Sequence, residues 1–199
     1  MVWKDGSEVL WDDFINSYWR DWRTSNRGGD KDRLMDQEWL ASWLKRHSLQ
    51  AELPLKPAEL DQLQQLRSLL WAGVQKVVYE DTVDRALLEQ LNGYMNKGPA
   101  IRQIVWNNAG LAHLSLVPQR ADWAQVMAEI ASSFAAVLME KEHSRIRVCE
   151  NPDCLWVYYD DTRNRSKRYC DDKMCGNLMK VRRFRARKKA DAGGDTRTE

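Results

Sequence analysis

The sequence predicts a mainly α-helical protein made of a larger N-terminal domain and a small C-terminal module. Two observations support this fold class. Apolar residues recur every three or four positions through most of residues 1–142, as they do on the buried face of a helix. All four cysteines, in contrast, fall within residues 149–175. With 199 residues, 43% of them hydrophobic and ten of them tryptophan, the chain is large and apolar enough to bury a core.

Five segments of the N-terminal domain have the apolar spacing of helices. They cover residues 8–23, 36–46, 57–78, 82–95 and 120–141. Pro57 fits the start of the third segment, because proline lacks the backbone N–H that would have no partner in a first helical turn. The first segment has an aromatic face, formed by Trp11, Phe14, Ile15, Tyr18, Trp19 and Trp22.

The aromatic face of the first segment also suggests a ligand site. Asn16 lies beside Trp19 and Trp22 at helical spacing, and these three side chains are candidates for lining a small-molecule pocket. The alternative is that the aromatic stripe is simply core, which is the commoner role of such a pattern. The N-terminal domain is therefore interpreted as an effector-sensing or dimerisation domain, and a homodimer and a small-molecule effector are both possible partners.

One stretch of the N-terminal domain departs from the helical period. Residues 101–106 and 111–117 are rich in β-branched residues or alternate in polarity, and Asn107-Asn108-Ala109-Gly110 lies between them as a turn. This pattern predicts one small β-hairpin within the helical domain.

Charge divides the chain in the same way as the apolar pattern. Residues 1–142 carry 16 Lys/Arg against 20 Asp/Glu, whereas residues 143–189 carry 14 against 6. An acidic body joined to a basic module suggests that the two parts have different functions. Only the basic module is suited to binding nucleic acid. We place the domain boundaries at residues 1–142 and 143–190, and expect the polar tail 191–199 to be disordered.

Several classes of protein are disfavoured. The sequence has no run of 18 apolar residues, and its first 14 residues are too acidic for a signal peptide, so a cytoplasmic protein without a membrane span is expected. We find no nucleophile–base constellation, phosphate-binding loop or HExxH motif, and therefore do not expect an enzyme.

The cysteines are spaced like the ligands of a metal ion. Cys149 and Cys154 are separated by four residues, as are Cys170 and Cys175, and fifteen residues lie between the pairs. Two short-spaced pairs suit a tetrahedral four-thiolate site for one structural zinc ion, which leaves no open position for catalysis. Two disulfides and an iron–sulfur cluster are the alternatives, and the first is disfavoured in a reducing compartment.

The segments around the cysteines predict a treble-clef-like zinc finger. Asn151-Pro152-Asp153 would form the turn of a knuckle, and residues 155–161 and 165–170 would form a hairpin with its tip near residues 162–164. Cys175 would then lie in the first turn of a basic helix, where the helix dipole favours a thiolate. Along this helix, Leu178, Val181 and Phe184 are expected to pack onto the hairpin.

The C-terminal helix is the strongest candidate for contact with nucleic acid. Seven of the ten residues 180–189 are Lys or Arg. A basic helix fixed by a metal site suits phosphate contacts or entry into a major groove, and DNA is the expected partner. The candidate residues are Arg163, Arg165, Lys167, Arg168, Lys180, Arg182, Arg183, Arg185 and Arg187. RNA binding is one alternative, and a protein-interaction adaptor in which the basic face is merely solvated is another.

These motifs resemble those of a known family. The C-terminal pattern is similar to the CGNR zinc finger, at the four cysteines and at Asp161, Arg163, Asn164, Arg168, Gly176, Asn177 and Lys180. The body resembles the ABATE domain of bacterial proteins, at Asp13, Phe14, Asn16, Leu66 and Arg67. The resemblance implies a stress-related bacterial transcription regulator whose finger binds DNA. Leu178 replaces the arginine of the family motif and Tyr169 replaces its usual tryptophan, so a contact made by that arginine is absent.

Overall fold

The computed structural model describes residues 10–106, 109–140 and 143–193. Within these residues the chain is mainly α-helical, with three two-stranded antiparallel sheets. The helices are α1 (Leu10–Ile15), α2 (Gln37–Arg46), α3 (Pro57–Glu80), α4 (Arg85–Met95), α5 (Trp123–Glu140) and α6 (Asn177–Gly193). The strands are β1 (Tyr18–Trp19), β2 (Lys31–Asp32), β3 (Ala100–Trp106), β4 (Ala112–Pro118), β5 (Ile146–Val148) and β6 (Val157–Tyr159). No helix in the described ranges has both the length and the apolar content that a bilayer span requires.

Four of the five predicted helices of the N-terminal domain are confirmed, because their signals are local. The Asp36 carboxylate accepts a hydrogen bond from the Trp39 N–H and begins α2, and Asp84 does the same for α4. Pro57 occupies the first turn of α3, as expected. The apolar stripes of α1, α3 and α5 meet in one core, in which Trp11, Phe14, Leu63, Leu66, Leu70, Val74, Ile130 and Phe134 are fully buried.

The prediction of one helix over residues 8–23 is wrong beyond Ile15. The chain leaves α1 there and continues into β1, which pairs with β2. The Ser17 carbonyl accepts a hydrogen bond from the Arg33 N–H, and the Asn16 side chain binds the backbone of Val157. The Asn16 N–H still donates to the Asp12 carbonyl, but the Ser17 N–H donates to the Phe14 carbonyl and closes the last turn, so the helix does not continue.

The predicted β-hairpin is confirmed and projects from the helical domain. β3 and β4 pair antiparallel over their full length, with Ile104 opposite Leu114 and Trp106 opposite Ala112. The predicted turn residues Asn107 and Asn108 lie outside the described residues. Gly110 has a φ of +73°, which suits glycine at the turn.

The prediction of which strands pair in the C-terminal module is wrong. β6 is a strand, as expected, but it pairs with β5, which precedes the first cysteine pair, and residues 165–170 form a loop. Arg165 has a φ of +51°, which breaks an extended conformation at that point. The turn between β5 and β6 is therefore the first cysteine knuckle itself.

The hairpin of β5 and β6 belongs to the core of the helical domain. Ile146, Val148 and Val157 are buried in the same apolar cluster as the side chains of α1, α3 and α5. A second, smaller cluster surrounds the cysteines and includes Tyr158 and Tyr169. The N-terminal domain and the C-terminal module thus share one core.

The last helix is less buried than the sequence predicts. Leu178 is half-buried, but Val181 and Phe184 are exposed, so the expected packing of these two side chains onto the hairpin is wrong. Met179, on a different face, packs against the cysteine cluster, and the Arg182 guanidinium anchors the same side of the helix. α6 runs to Gly193, three residues into the predicted tail, and residues 194–199 lie outside the described part.

Candidate metal centre and basic surface

The four cysteine sulfurs converge on one point. All four Sγ atoms lie within 4.8 Å of one another, although they come from two segments of the chain. Cys149 and Cys154 flank the turn between β5 and β6, whereas Cys170 and Cys175 flank a turn that leads into α6. Cys149, Cys154 and Cys175 are buried and Cys170 is half-buried.

The distances between the sulfurs fit one zinc ion. Cys170 Sγ lies 3.7 Å from Cys154 Sγ and 3.8 Å from Cys175 Sγ. A tetrahedral site with zinc–sulfur bonds of about 2.3 Å places its sulfurs about 3.8 Å apart. These separations are far beyond the disulfide bond length of about 2.05 Å, and all four cysteines are free thiols. The four cysteines are therefore positioned to bind one structural zinc ion, with all four coordination positions filled by protein.

The electrostatics of the cluster also favour a bound cation. Hydrogen bonds from Cys154 and Cys170 lower the pKa of Cys149, while contact with the Cys149 sulfur raises the pKa of both Cys154 and Cys170. Four sulfurs at this separation do not all ionise by themselves, because like charges repel. A zinc ion in the centre stabilises the thiolates and removes the conflict.

Asn151 supports the cysteines from outside the ligand set. It is fully buried, and its Nδ2 donates to the carbonyl of Trp22 and lies 3.5 Å from Cys175 Sγ. Its Oδ1 accepts a hydrogen bond from the Asp153 N–H, which shapes the knuckle turn. A polar contact of this kind fixes the orientation of a metal ligand.

Asp160 organises the loop between the two cysteine pairs. Its buried carboxylate accepts hydrogen bonds from the Thr162 N–H, the Thr162 hydroxyl and the Lys167 N–H. Burial raises the pKa of Asp160, but these hydrogen bonds outweigh burial, and the pKa lies below the ordinary value. The loop from residue 160 to 167 is thus held around one carboxylate and presents its basic side chains outward.

Two of the predicted nucleic-acid residues are held by acidic neighbours. Arg182 Nη1 lies 2.6 Å from Asp153 Oδ2, and its Nη2 donates to the carbonyl of Arg23. Arg168 pairs with Glu150 through Nε and Nη2. Both guanidinium groups therefore connect parts of the structure, and Arg182 in particular fixes α6 to the knuckle and to the N-terminal domain.

Three more predicted basic residues, together with Arg168, line a groove between the loop and α6. The groove has a volume of about 420 Å³, and its lining includes Lys167, Arg168, Lys180 and Arg183 together with one acidic residue, Asp172. The remaining candidates are exposed on the same two elements. They are Arg163 and Arg165 on the loop and Arg185 and Arg187 on α6. At 3.6 residues per turn, Lys180, Arg183 and Arg187 share one side of α6. The loop and the helix thus bring predicted residues from two segments together.

The structure separates the three predicted ligand residues. Asn16 lies at a cleft of about 270 Å³ between the helical domain and the knuckle, lined also by Tyr18, Arg20, Arg67, Trp71 and Trp156. Trp19 lines a different groove, and Trp22 packs against the cysteine cluster. Both polar atoms of the Asn16 side chain are already bonded to Val157. We refer to the first cavity as the interdomain cleft.

Sequence reasoning did not identify several residues that shape these sites. Arg20, Trp71 and Trp156 come from three distant segments, and no local pattern links them. Asn151 was assigned only to a turn, although its position between the first two cysteines was a signal for a supporting role. The family motif points to Asp161, which is exposed, and not to the neighbouring Asp160, which organises the loop.

Comparison with protein families agrees with both parts of this structure. Residues 8–141 match the ABATE family, described as "Putative stress-induced transcription regulator". Residues 145–188 match the CGNR zinc finger. No curated protein matches the chain.

Proposed function

Because the chain belongs to the ABATE family and carries a CGNR zinc finger, we propose that it is a zinc-dependent transcription regulator that binds DNA. The contact surface is the basic groove, formed by α6 and the loop from residue 160 to 167. The finger is treble-clef-like, in the order knuckle, loop and helix. The helical N-terminal domain responds to an effector or forms a dimer. This role needs no catalytic group.

One observation carries the proposal: the zinc site fixes a loop and a helix so that their cations face one groove. Lys167 reaches this groove from the loop, and Lys180 and Arg183 reach it from α6. No acidic residue occurs between Lys173 and Ala190. A concave surface with clustered cations suits the phosphates of nucleic acid and makes binding dependent on salt.

The number of cations exceeds what the metal site needs. A zinc ion with four thiolates has a net charge of −2, which two or three nearby cations would balance. Thirteen Lys/Arg lie in residues 147–189. Arg168 and Arg182 are engaged with Glu150 and Asp153, and the groove still retains Lys167, Lys180 and Arg183. The positive charge therefore exceeds what the metal site needs, and the groove cations are available to a partner.

The test is selection of bound sequences from a mixed pool of duplex DNA and structured RNA, using the zinc-loaded full chain. Enrichment of a duplex DNA sequence, with affinity falling steeply as salt rises, is the expected result. Enrichment of structured RNA would support the RNA-binding alternative instead. Binding of neither would leave the adaptor function, in which zinc only stabilises the C-terminus.

We propose that any homodimer forms through the hairpin of β3 and β4. Ile104, Trp106 and Leu114 are each more than 60% exposed on one face, and Arg102 is the only Lys, Arg, Asp or Glu in residues 100–118. Both outer edges of this two-stranded sheet are unpaired among the described residues. An isolated two-stranded hairpin is barely stable in water, and a second copy packed against this face would cover the apolar side chains of both copies.

The size of the hairpin limits the strength of such a dimer. Two strands of seven residues present a face of roughly 230 Å², well below the ~800 Å² per partner of a standard interface. The low charge argues against nucleic acid as the occupant and favours an identical, equally apolar surface. We therefore expect a weak dimer whose population depends on protein concentration.

A further inference from the structure

The interdomain cleft has the composition of a binding site for a small anion. Its lining includes two guanidinium groups, from Arg20 and Arg67, and no carboxylate of any described residue. The cleft is bounded by the segment after α1, by α3 and by the knuckle residues Cys154, Leu155 and Trp156, so that one metal ligand also lies at its wall. Any molecule that fills it would contact both the helical domain and the metal-binding module.

The two arginines have different roles in the cleft. Arg67 is held rigidly, since Nη1 lies 2.7 Å from Asp32 Oδ1 and Nη2 lies 2.6 Å from Asp32 Oδ2, and Nη1 also donates to the Ser17 hydroxyl. Asp32 therefore already balances the charge of Arg67. Arg20 contacts the face of Tyr18 at 6.0 Å and has no acidic partner among the described residues. The positive charge of Arg20 is available to a ligand.

Aromatic side chains provide the apolar part of the cleft. Tyr18, Trp71 and Trp156 all line it, and Tyr18 is 43% exposed even though it lies against both guanidinium groups. No described residue accepts a hydrogen bond from the indole N–H of Trp71 or Trp156. Flat aromatic walls beside an unbalanced cation favour a planar ring that carries a negative charge.

The volume of the cleft limits the size of the ligand. A volume of about 270 Å³ corresponds to roughly nine water molecules at ~30 Å³ each. A benzene ring with one carboxylate has about nine non-hydrogen atoms and fills a comparable space. The cleft is too small to enclose a dinucleotide or a peptide.

We propose that the interdomain cleft binds a small aromatic carboxylate, with the carboxylate on Arg20 and the ring against Trp71 and Trp156. We also propose that this ligand is the effector that changes the DNA affinity of the finger. The second part rests on the proposed function above, whereas the first part does not.

The link from the cleft to the metal centre is short. Trp156 lines the cleft, and its carbonyl accepts a hydrogen bond from the N–H of the metal ligand Cys149 at 2.8 Å. Leu155, between Cys154 and Trp156, has a φ of +54°, an uncommon conformation for a residue of this type. A ring packed on Trp156 therefore acts directly on the knuckle, and by linkage DNA would change ligand affinity by the same factor.

The experiment is calorimetric titration of the zinc-loaded full chain with benzoate, at concentrations up to about 10 mM. The comparison compounds are benzamide, which is neutral, cyclohexanecarboxylate, which is not aromatic, and phenyl phosphate. We expect saturable binding of one benzoate per chain, with benzamide and cyclohexanecarboxylate each at least about tenfold weaker. Equal binding of benzamide, a preference for phenyl phosphate or no saturable binding would overturn the proposed ligand class.

The matched variants are Arg20→Gln and Arg33→Gln. Arg33 also lies 6.0 Å from an aromatic ring, that of Trp39, but in a separate groove. Arg20→Gln should weaken benzoate binding at least about tenfold, and Arg33→Gln should leave it unchanged. An equal loss in both variants would contradict the assignment of Arg20.

The effector role has its own readout. Saturating benzoate should change the dissociation constant of the selected DNA about fivefold or more in the unmodified chain, and not in Arg20→Gln. Unchanged DNA affinity with intact benzoate binding would overturn the coupling alone. If the chain binds benzoate but no DNA, the proposed function is contradicted, whereas the proposed ligand site is supported.

Discussion

Asn16 and Val157 are 141 positions apart in the sequence and form a reciprocal pair of hydrogen bonds. Asn16 Nδ2 donates to the Val157 carbonyl at 2.7 Å, and the Val157 N–H donates to Asn16 Oδ1 at 2.9 Å. In β6, the backbone groups of Val157 face away from β5, because bonded and unbonded positions alternate along an antiparallel pair. The Asn16 amide therefore takes the place of a third strand and joins the helical domain to the zinc finger.

Replacing Asn16 should weaken this junction. Asn16→Ala leaves the N–H and carbonyl of buried Val157 without partners, at a cost of about 2–4 kcal/mol. We expect this loss in the free energy of unfolding measured with urea. Asn92→Ala, at an exposed position of α4, is the control and should change stability by less than about 0.5 kcal/mol. Equal stability of the two variants would contradict the role of Asn16.

Removing zinc should destabilise the helical domain as well as the finger. Ile146, Val148 and Val157 lie next to the metal ligands and also belong to the core that α1, α3 and α5 share. We expect a strong chelator to lower the midpoint of thermal unfolding by at least about 10 °C, corresponding to roughly 3 kcal/mol for a chain of this size. Circular dichroism at 222 nm, which reports on helices throughout the chain, gives the measurement.

The Cys175→Ser variant gives the same comparison without a chelator. It leaves three thiolates and one poor ligand, so zinc should bind more weakly and thermal unfolding should occur at a lower temperature. Elemental analysis of the reduced protein should give one zinc per chain before treatment. A helical signal that melts at the same temperature with and without zinc would mean that the two parts fold independently.

Charge removal from the basic groove should change the salt dependence of DNA binding. Arg183 lines the groove, and we expect Arg183→Gln to lower the slope of log K against log salt by about 1, the amount expected for one phosphate contact. Arg85→Gln removes the same charge from the exposed surface of α4 and serves as the control. A slope that falls equally in both variants would show only the effect of net charge.

The hairpin of β3 and β4 is expected to set the oligomeric state. Ile104→Lys introduces a charge at a position that is 70% exposed in the single chain, so the monomer should keep its stability. The dimer should be lost, because the charge would be buried between two copies. Sedimentation equilibrium over a range of protein concentrations measures this change. Gln103→Lys, on the opposite face, is the control, and an unmodified chain that is monomeric at all concentrations would contradict the proposal.

Local signals in the sequence predicted most of the helices and the metal ligands. The stripe of α3 and its first-turn proline are encoded within one segment, and the cysteine pairs each lie in one turn. The errors arose where a distant residue decides the outcome. α1 ends at Ile15 because the next two residues bond to Val157 and Arg33, and β6 pairs with β5 rather than with the segment after it.

The surface of α6 was mispredicted for a related reason. Helical spacing identified a stripe with Val181 and Phe184, but spacing alone does not say which face of a helix meets its neighbours. The face of α6 that meets the rest of the protein is set by Arg182, which pairs with Asp153, 29 positions away, and with the carbonyl of Arg23. The interdomain cleft could not be predicted at all, because its cations and aromatic rings come together only in the folded chain.

The ion pair of Arg67 and Asp32 predicts how stability responds to acid. Burial raises the pKa of Asp32, but hydrogen bonds from Arg67 and its positive charge outweigh burial, so the pKa lies below the ordinary value. The pair therefore contributes its full stabilisation above the unfolded-state pKa of about 3.9, and this contribution is lost as the pH falls through the lower pKa of the folded state.

Asp32→Asn isolates this effect. At pH 7 the variant leaves the Arg67 guanidinium without its carboxylate, and we expect a loss of about 3 kcal/mol in the free energy of unfolding. The difference between the variant and the unmodified chain should shrink as the pH falls below about 4, since protonation then removes the same charge from Asp32. Acid also releases zinc, but from both proteins equally, so the difference between their urea unfolding curves remains informative. A difference that stays constant from pH 7 to about pH 3 would mean that the carboxylate charge does not stabilise the fold.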